Sequence, residues 1–141
     1  MANVMGARPD GWWRDRPGAA ARLGREVLAL AGRGIAAGAE RSFPAYVLVL
    51  EGQARAAAAP LENEIAENEL MDYVPVKVRV VSAAGSGDDT IVAVVADIVG
   101  TLCETSGAAS CLVVTADREL RRRCEALGAT AAGPGWLLGL L

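Results

Sequence analysis

Apolar residues along this chain fall into two patterns, short continuous runs and longer stretches with helical spacing. The clearest pairing of the two spans residues 76–102, where VKVRVVSAA is followed by the turn GSGDD and then by TIVAVVADIVGTL. Short β-branched runs are typical of strands covered on both faces, and apolar residues at i, i+3, i+4 and i+7 are typical of an amphipathic helix. The pattern therefore predicts a strand, a tight turn and a helix with one face in the core. That face comprises Ile91, Val94, Val95, Ile98, Val99 and Leu102.

Similar patterns predict further elements on both sides of this stretch. A helix is expected over about 19–37, a strand over 45–50, another strand over 111–115 followed by a helix to Leu127, a short strand over 129–132 and a final apolar helix or tail. The first eighteen residues are rich in turn formers and predict a loop. Residues 56–73 depart from the pattern as an acidic insertion, in which Pro60 could begin a short helix with Leu61 and Ile65 on one side. Alternating strands and helices favour an α/β fold with a mostly parallel sheet.

Acidic residues follow three of the predicted strands. Glu51 follows the first strand, Asp88 and Asp89 follow the second, and Asp117 follows the third. Because the carboxyl ends of parallel strands lie at one edge of a sheet, these acids are expected to converge. Clustered carboxylates repel one another unless a cation lies between them, and oxygen ligands favour Mg²⁺ or Mn²⁺. The alternative is that these acids only cap helices, since Ser86 and Asp89 have capping-box spacing.

Composition narrows the chemistry further. The chain has 141 residues, of which 52% are hydrophobic, which is enough for a core, and residues 1–141 are assigned to a single domain. It contains no histidine, which excludes His-based triads, histidine general bases and His-ligated zinc. Cys103, Cys111 and Cys124 lack CxxC spacing and are expected to be reduced thiols. No apolar stretch reaches the length of a membrane span and no signal-peptide pattern is present, so the sequence predicts a cytoplasmic protein without membrane contact.

The amino-terminal end is basic although the chain as a whole is acidic, and it contains a pair of tryptophans. The formal net charge is −3, yet residues 1–41 contain seven arginines and four acids, a local balance of +3. Trp12 and Trp13 lie in this segment beside Arg14 and Arg16. Such a pair either stacks on the bases of single-stranded nucleic acid or packs against the fold.

Four segments, taken in order, resemble the PIN-like domains, in particular the NYN and YacP-like ribonuclease domains of a small actinobacterial type. These segments are ANVMGARPDGWWRDR, VLVLEGQAR, GSGDDTIV and VVTADREL, and they span nearly the whole chain. The resemblance implies a Rossmann-like, three-layer α/β/α fold and a metal-dependent ribonuclease site made of acids at strand ends. Position by position, Glu51, Asp88 or its neighbour Asp89, and Asp117 match the family's acids, Glu119 matches an outer metal ligand, and Asn3 matches the asparagine of the family's Asp-Gly-Ala-Asn turn.

The chain departs from the family at its beginning. In the family, that turn follows a hydrophobic first strand and begins with a metal-binding aspartate, whereas this sequence opens with Met1, Ala2 and Asn3. The first strand is thus truncated, and we expect the natural protein to begin further upstream. If Met1 is the true start, the chain would be a weakened or inactive relative.

The expected activity is hydrolysis of RNA phosphodiesters with Mg²⁺ or Mn²⁺. Catalytic roles are expected for Glu51, Asp88, Asp89 and Asp117, metal binding for Glu51, Asp88, Asp117 and Glu119, and RNA binding for Asn3, Arg8, Arg14, Arg16, Arg118 and Arg122. The run Arg121 to Arg123 is also typical of a solvated helix face. Two alternatives stay open, namely an RNA-binding module without turnover and another Mg²⁺-dependent phosphohydrolase. RNA is the expected partner, and a homodimer is a further option.

Overall fold

Helices and strands alternate along the chain from its second helix onward. The structure is a computed structural model that describes residues 1–33, 45–70, 77–105 and 110–141. In chain order the elements are α1 (Ala2–Met5), α2 (Arg16–Arg33), β1 (Ala45–Leu50), a 3-10 helix (Gly52–Ala57), α3 (Ala58–Leu70), β2 (Lys77–Ser82), α4 (Gly87–Thr105), β3 (Leu112–Val114), α5 (Arg118–Glu125), β4 (Thr130–Ala132) and α6 (Pro134–Leu138). The predicted α/β class is therefore confirmed.

The four strands pair in twos, and both pairs are parallel. β1 pairs with β2 in the register Ala45↔Lys77 to Leu50↔Ser82, and β3 pairs with β4 from Leu112↔Thr130 onward. Parallel neighbours need a crossover between them, which α3 and α5 supply in the two pairs. Within the described residues these are two small sheets, where the sequence predicted one mostly parallel sheet.

The larger hydrophobic core lies against the β1–β2 sheet. In α2 the buried residues recur with helical spacing, as predicted; residues 34–37 of the predicted helix lie outside the described part of the chain. Leu50 contributes from β1 and Leu61 from α3, and both side chains are fully buried. The side chains that α2 buries are Ala19, Ala20, Leu23, Val27, Leu28 and Ala31, together with the backbone of Gly24.

The predicted acidic insertion is built around α3, which packs tightly on α2. A Cβ atom placed on Gly24 would lie 2.5 Å from Cδ1 of Leu61, so the two helices approach each other at a position that only glycine fits. Arg25 on α2 also pairs with Glu64 on α3, at 2.8 Å between Nε and Oε1. The helix beginning near Pro60 is confirmed and is longer than expected, whereas residues 71–73 lie outside the described part.

A smaller core joins α4, α5 and the β3–β4 sheet. Its buried members are Val95, Val113, Leu120, Cys124 and Ala129. The predicted apolar face of α4 is only partly covered, since Val95 is buried but Ile91, Val94, Ile98, Val99 and Leu102 are half-buried. The reason is length: the 19 residues of α4 extend over about 28 Å. Strands of three residues extend over only about 10 Å.

The amino-terminal segment differs from the predicted loop. Residues Ala2–Met5 form the short helix α1, whose Val4 and Met5 are buried in the larger core. Tertiary burial holds this helix, because a single turn is too short to be stable alone. α1 also contacts α6 near the end of the chain. None of the helices in the described ranges combines the length and the apolar character that a membrane-spanning segment needs.

Candidate site at the acidic strand ends

Glu51 connects the end of β1 to the start of α4. Its Oε2 atom accepts a hydrogen bond from the backbone N–H of Gly87 at 2.9 Å. A Cβ atom on Gly87 would lie 2.5 Å from the same oxygen, so a side chain there would displace the carboxylate. The sequence indicated a tight turn at Gly87, and the structure adds that the absent side chain makes room for Glu51.

Asp88 is influenced by the charges of the three other predicted catalytic acids. Burial raises the pKa of its carboxyl group, and the negative charges of Asp117, Glu51 and Asp89 raise it further, while Arg123 acts in the opposite direction. The hydrogen bond from Gly87 to Glu51 and the ion pair of Arg123 with Asp89 join the start of α4 to the end of β1 and to α5, so the structure brings the three acidic strand ends to one edge of the fold. Like charges gathered in this way favour either a bound proton or a nearby cation.

Asp117 holds the turn between β3 and α5. Its Oδ1 atom accepts a hydrogen bond from the backbone N–H of Leu120 at 2.8 Å, which makes it the N-cap of α5. Its own N–H donates to Oγ1 of Thr115 at 3.0 Å, and Thr115 is fully buried. Within the described part of the chain no hydrogen bond occupies Oδ2, so this carboxylate caps the helix with one oxygen and presents the other.

Asp89 and Glu119 each form an ion pair with an arginine of α5. Oδ1 of Asp89 lies 2.7 Å from Nη2 of Arg123, and Oε2 of Glu119 lies 2.8 Å from Nη2 of Arg122. Of the two hydrogen bonds of the predicted capping box, the described residues show one. The N–H of Asp89 donates to Oγ of Ser86 at a long 3.5 Å. Sequence reasoning treated the arginine run on α5 as one solvated face and missed Arg123, whose partner lies on another helix.

The amino group of Met1 contacts the edge of β1 that faces away from β2, two residues before Glu51. The carbonyl oxygen of Leu50 accepts a hydrogen bond from the N–H of Ala83, directly after β2. Successive carbonyls of a strand point in opposite directions, so the Val49 carbonyl points away from β2. The Met1 ammonium donates to this Val49 oxygen at 2.7 Å. Burial lowers the pKa of the ammonium group, while the charges of Glu51 and Asp88 oppose that effect.

The predicted RNA-binding residues are in different surroundings. Arg8 forms an ion pair with Glu26 at 2.6 Å, and Arg118 is exposed in the first turn of α5. Arg14 and Arg16 lie over the rings of Trp13 and Trp12, at 5.9 Å and 5.6 Å from the ring centroids. Asn3 is half-buried within α1. Arg122, as described above, pairs with Glu119.

The donor atoms at this edge are all carboxylate oxygens. Such a donor set suits Mg²⁺ or Mn²⁺, and Mg²⁺ often keeps several waters while using only one or two carboxylates. Across residues 1–33, 45–70, 77–105 and 110–141, no group of three acid or cysteine side chains is arranged to hold one ion. The residues therefore fit a divalent cation in the chemistry of their donors, through one or two direct carboxylates.

Comparison with known proteins adds no assignment. No family model matches this chain, and neither does any curated protein or solved structure. The resemblance to PIN-like domains stays a prediction that rests on the four sequence segments.

Proposed function

We propose that this protein is a divalent-metal-dependent ribonuclease that hydrolyses RNA phosphodiesters at the edge formed by Glu51, Asp88 and Asp117. The observation that carries the proposal is the gathering of these acids: the Gly87 N–H holds the carboxylate of Glu51 next to Asp88, and Arg123 of the helix that Asp117 caps pairs with Asp89. Burial, and then the charges of Asp117 and Glu51, raise the pKa of Asp88. A proton or a cation relieves this repulsion, and at neutral pH a divalent cation does so while leaving the carboxylates ionised. Perturbed acids grouped at strand ends are typical of functional sites in α/β folds.

In this proposal Asp88 would be the central ligand, and Glu51 and Asp117 would also hold the ion. Asp89 and Glu119 lie close by and would contribute negative charge without being the principal ligands. When bound, Mg²⁺ or Mn²⁺ supplies an activated water and stabilises negative charge on the phosphate. No histidine is needed for this chemistry.

The protein's own groups hold the arrangement in place. The Gly87 N–H fixes the carboxylate of Glu51, and the cap to Leu120 fixes that of Asp117. Arg118 begins α5 beside Asp117, where its exposed guanidinium is available to a phosphate group. Arg122 is also exposed and reaches a phosphate by exchanging its surface pair with Glu119, a change of small energetic effect.

For the fold we propose a Rossmann-like, PIN-like architecture in which the two small sheets are halves of one mostly parallel sheet. Two observations support it. Both pairs are parallel and run towards the acidic edge. The Val49 carbonyl, on the edge of β1 that faces away from β2, already accepts a hydrogen bond from outside the β1–β2 pair.

A second candidate function is an RNA-binding module without turnover. It is favoured by the ion pairs of Asp89 with Arg123 and of Glu119 with Arg122, because acids that are already neutralised attract a metal ion less strongly. The two functions differ in whether a bound RNA is cut when divalent metal is present.

The test is RNA cleavage by the wild type and by Asp117→Asn, with Mg²⁺, with Mn²⁺ and with a chelator. Asparagine is as good an N-cap as aspartate, so α5 is expected to keep its start while the metal-binding charge is lost. Cleavage should fall by at least about 100-fold, the scale on which catalytic groups act, while RNA binding is retained. Glu125→Gln removes a charge from the far end of α5 and is the matched control. Unchanged turnover in Asp117→Asn would remove Asp117 from the site, and RNA binding without metal-dependent cleavage by the wild type would favour the second function.

A further inference from the structure

The segment Trp12–Arg16 forms an aromatic and basic surface that the acidic site does not explain. The rings of Trp12 and Trp13 meet edge to face, with centroids 6.3 Å apart and an interplanar angle of 88°. Arg14 lies over the Trp13 ring and Arg16 over the Trp12 ring. We call these four side chains the tryptophan platform.

The two indoles have different roles in this platform. Trp12 is half-buried and packs against the larger core, whereas Trp13 is 57% exposed. Among the large apolar side chains of the described residues, Trp13 is the most exposed. The sequence left open whether the pair packs or stacks, and the structure assigns packing to Trp12 while leaving the Trp13 ring accessible.

The charge of the platform is positive where it meets solvent. Within the described part of the chain, neither Arg14 nor Arg16 forms an ion pair, and both are held by the indole rings instead. The nearby acids are engaged locally, since Asp10 accepts from the N–H of Trp12 and Asp15 accepts from the N–H of Gly18. Arg8 differs, because Glu26 neutralises it.

The platform is also close to the acidic site. Gly6, at the end of α1, faces Trp12, and a Cβ atom there would lie 3.8 Å from Cζ2 of the indole. At the other end of α1, the Met1 ammonium donates a hydrogen bond to the carbonyl of Val49, two residues before Glu51. Met1 and Gly6 are five residues apart, a separation of about 7–8 Å in helical backbone, so one polymer can contact both places.

We propose that the tryptophan platform binds the unpaired bases of single-stranded RNA, with Trp13 as the stacking surface and Arg14 and Arg16 as phosphate contacts. Exposed aromatic faces suit bases that are free to unstack, and unpaired guanidinium groups suit the backbone between them. A duplex keeps its base faces covered and gains only the charge contacts. This proposal rests on the proposed function, because it names the substrate of the same site as single-stranded RNA.

The test compares full-chain variants by fluorescence anisotropy with a short, unstructured, labelled RNA and with a duplex of the same length. A chelator is present, so that binding is measured without cleavage. Trp13→Ala should weaken single-strand binding by roughly 5- to 100-fold, the range expected for one lost stacking contact. Trp13→Phe should restore most of that loss, and duplex binding should change little. Trp136→Ala removes another exposed tryptophan, which is 40% exposed on α6, and should bind like the wild type.

The outcomes separate this proposal from the proposed function. Trp13-dependent binding without metal-dependent cleavage would support the platform and count against the ribonuclease. Metal-dependent cleavage with normal binding by Trp13→Ala would overturn the platform and leave the ribonuclease standing. Equal losses on single-stranded and duplex RNA would overturn base stacking. Absence of RNA binding by the folded wild type would overturn the proposal and point to a protein partner for this surface.

Discussion

The two sheets of this protein are supported very differently. In the described part of the chain, the β1–β2 sheet belongs to a core cluster of fourteen buried residues that includes α1, α2 and α3. The β3–β4 sheet belongs to a cluster of only five, shared with α4 and α5. The first sheet has strands of six residues and the second has strands of three. Buried apolar area is the main source of stability, so we expect the larger cluster, which Val114 of β3 also contacts, to supply most of the folding free energy.

The acidic site lies across this division. Glu51 follows β1 beside the larger core, whereas Asp117 follows β3 beside the smaller core, and Asp88 lies in the first turn of α4, between them in the chain. Regions with few buried contacts open at lower free energy than the core. We therefore expect the proposed site to have a more stable side, at Glu51, and a side of lower local stability, at Asp117.

The largest expected effect on stability comes from a leucine-to-alanine substitution in each of the two cores. Leu50→Ala should lower the free energy of unfolding by about 3–5 kcal/mol and Leu120→Ala by about 2–3 kcal/mol, because half-buried neighbours can close around the smaller site. Both leucines are fully buried, at 0% and 1% exposure, so their burial does not explain the difference. Urea unfolding at constant m-value measures both, with the more exposed Leu127→Ala as control. Equal costs would contradict the division into two unequal cores.

An intermediate effect is expected where the two halves meet, at Gly87. Alanine there should push away the Glu51 carboxylate, whose flexible end can move, so folding should change little. Under the proposed function, Mg²⁺ affinity should fall roughly 10-fold, as when a group that orients a ligand is lost. The increase of the melting temperature with Mg²⁺ concentration measures this affinity. Gly85→Ala has open space around it and is the control; a loss of affinity there too would assign the effect to the turn in general.

The smallest effect is expected for Asp88→Asn in the absence of metal, and it depends on pH. Because the folded-state pKa of Asp88 is raised, the folded protein binds this proton more tightly than the unfolded chain does. The resulting stability is fully present below the ordinary aspartate pKa of about 3.9 and is lost as the pH rises through the higher folded value. At neutral pH the neutral asparagine should therefore raise the melting temperature by roughly 1–3 °C, and the gain should vanish in acid.

Thermal melts of wild type and Asp88→Asn across this pH range, with a chelator present, test the sign. Asp97→Asn makes the same substitution further along α4, on an exposed carboxylate away from the acidic edge. A wild type that is more stable than Asp88→Asn at neutral pH would show that the ionised carboxylate is held by a favourable contact.

Hydrophobic spacing was sufficient to predict the elements whose pattern is local. The helix containing Leu23 and Val27 and the strand ending at Leu50 are confirmed, because their periodicity lies within one element. The grouping of Glu51, Asp88 and Asp117 was also predictable, since parallel strands end at the same edge. What these acids do chemically stays a prediction.

The features that sequence reasoning missed depend on contacts between distant positions. The pair Arg123–Asp89 joins two helices, and Arg8–Glu26 joins the segment after α1 to α2. Helix α1 exists because Val4 and Met5 are buried, which no local propensity signals. The partial covering of α4 depends on the lengths of β3 and β4, which cannot be deduced from the apolar pattern of α4 itself.

The close approach of α2 and α3 limits how this sequence can vary. A residue larger than glycine at position 24 meets the side chain of Leu61, which is fully buried and has little room to move. Alanine in mid-helix is favoured over glycine by up to about 1 kcal/mol, yet that gain is accessible only after position 61 has become smaller. The order of the two substitutions is therefore constrained, and in related chains we expect the residues at 24 and 61 to vary as a pair.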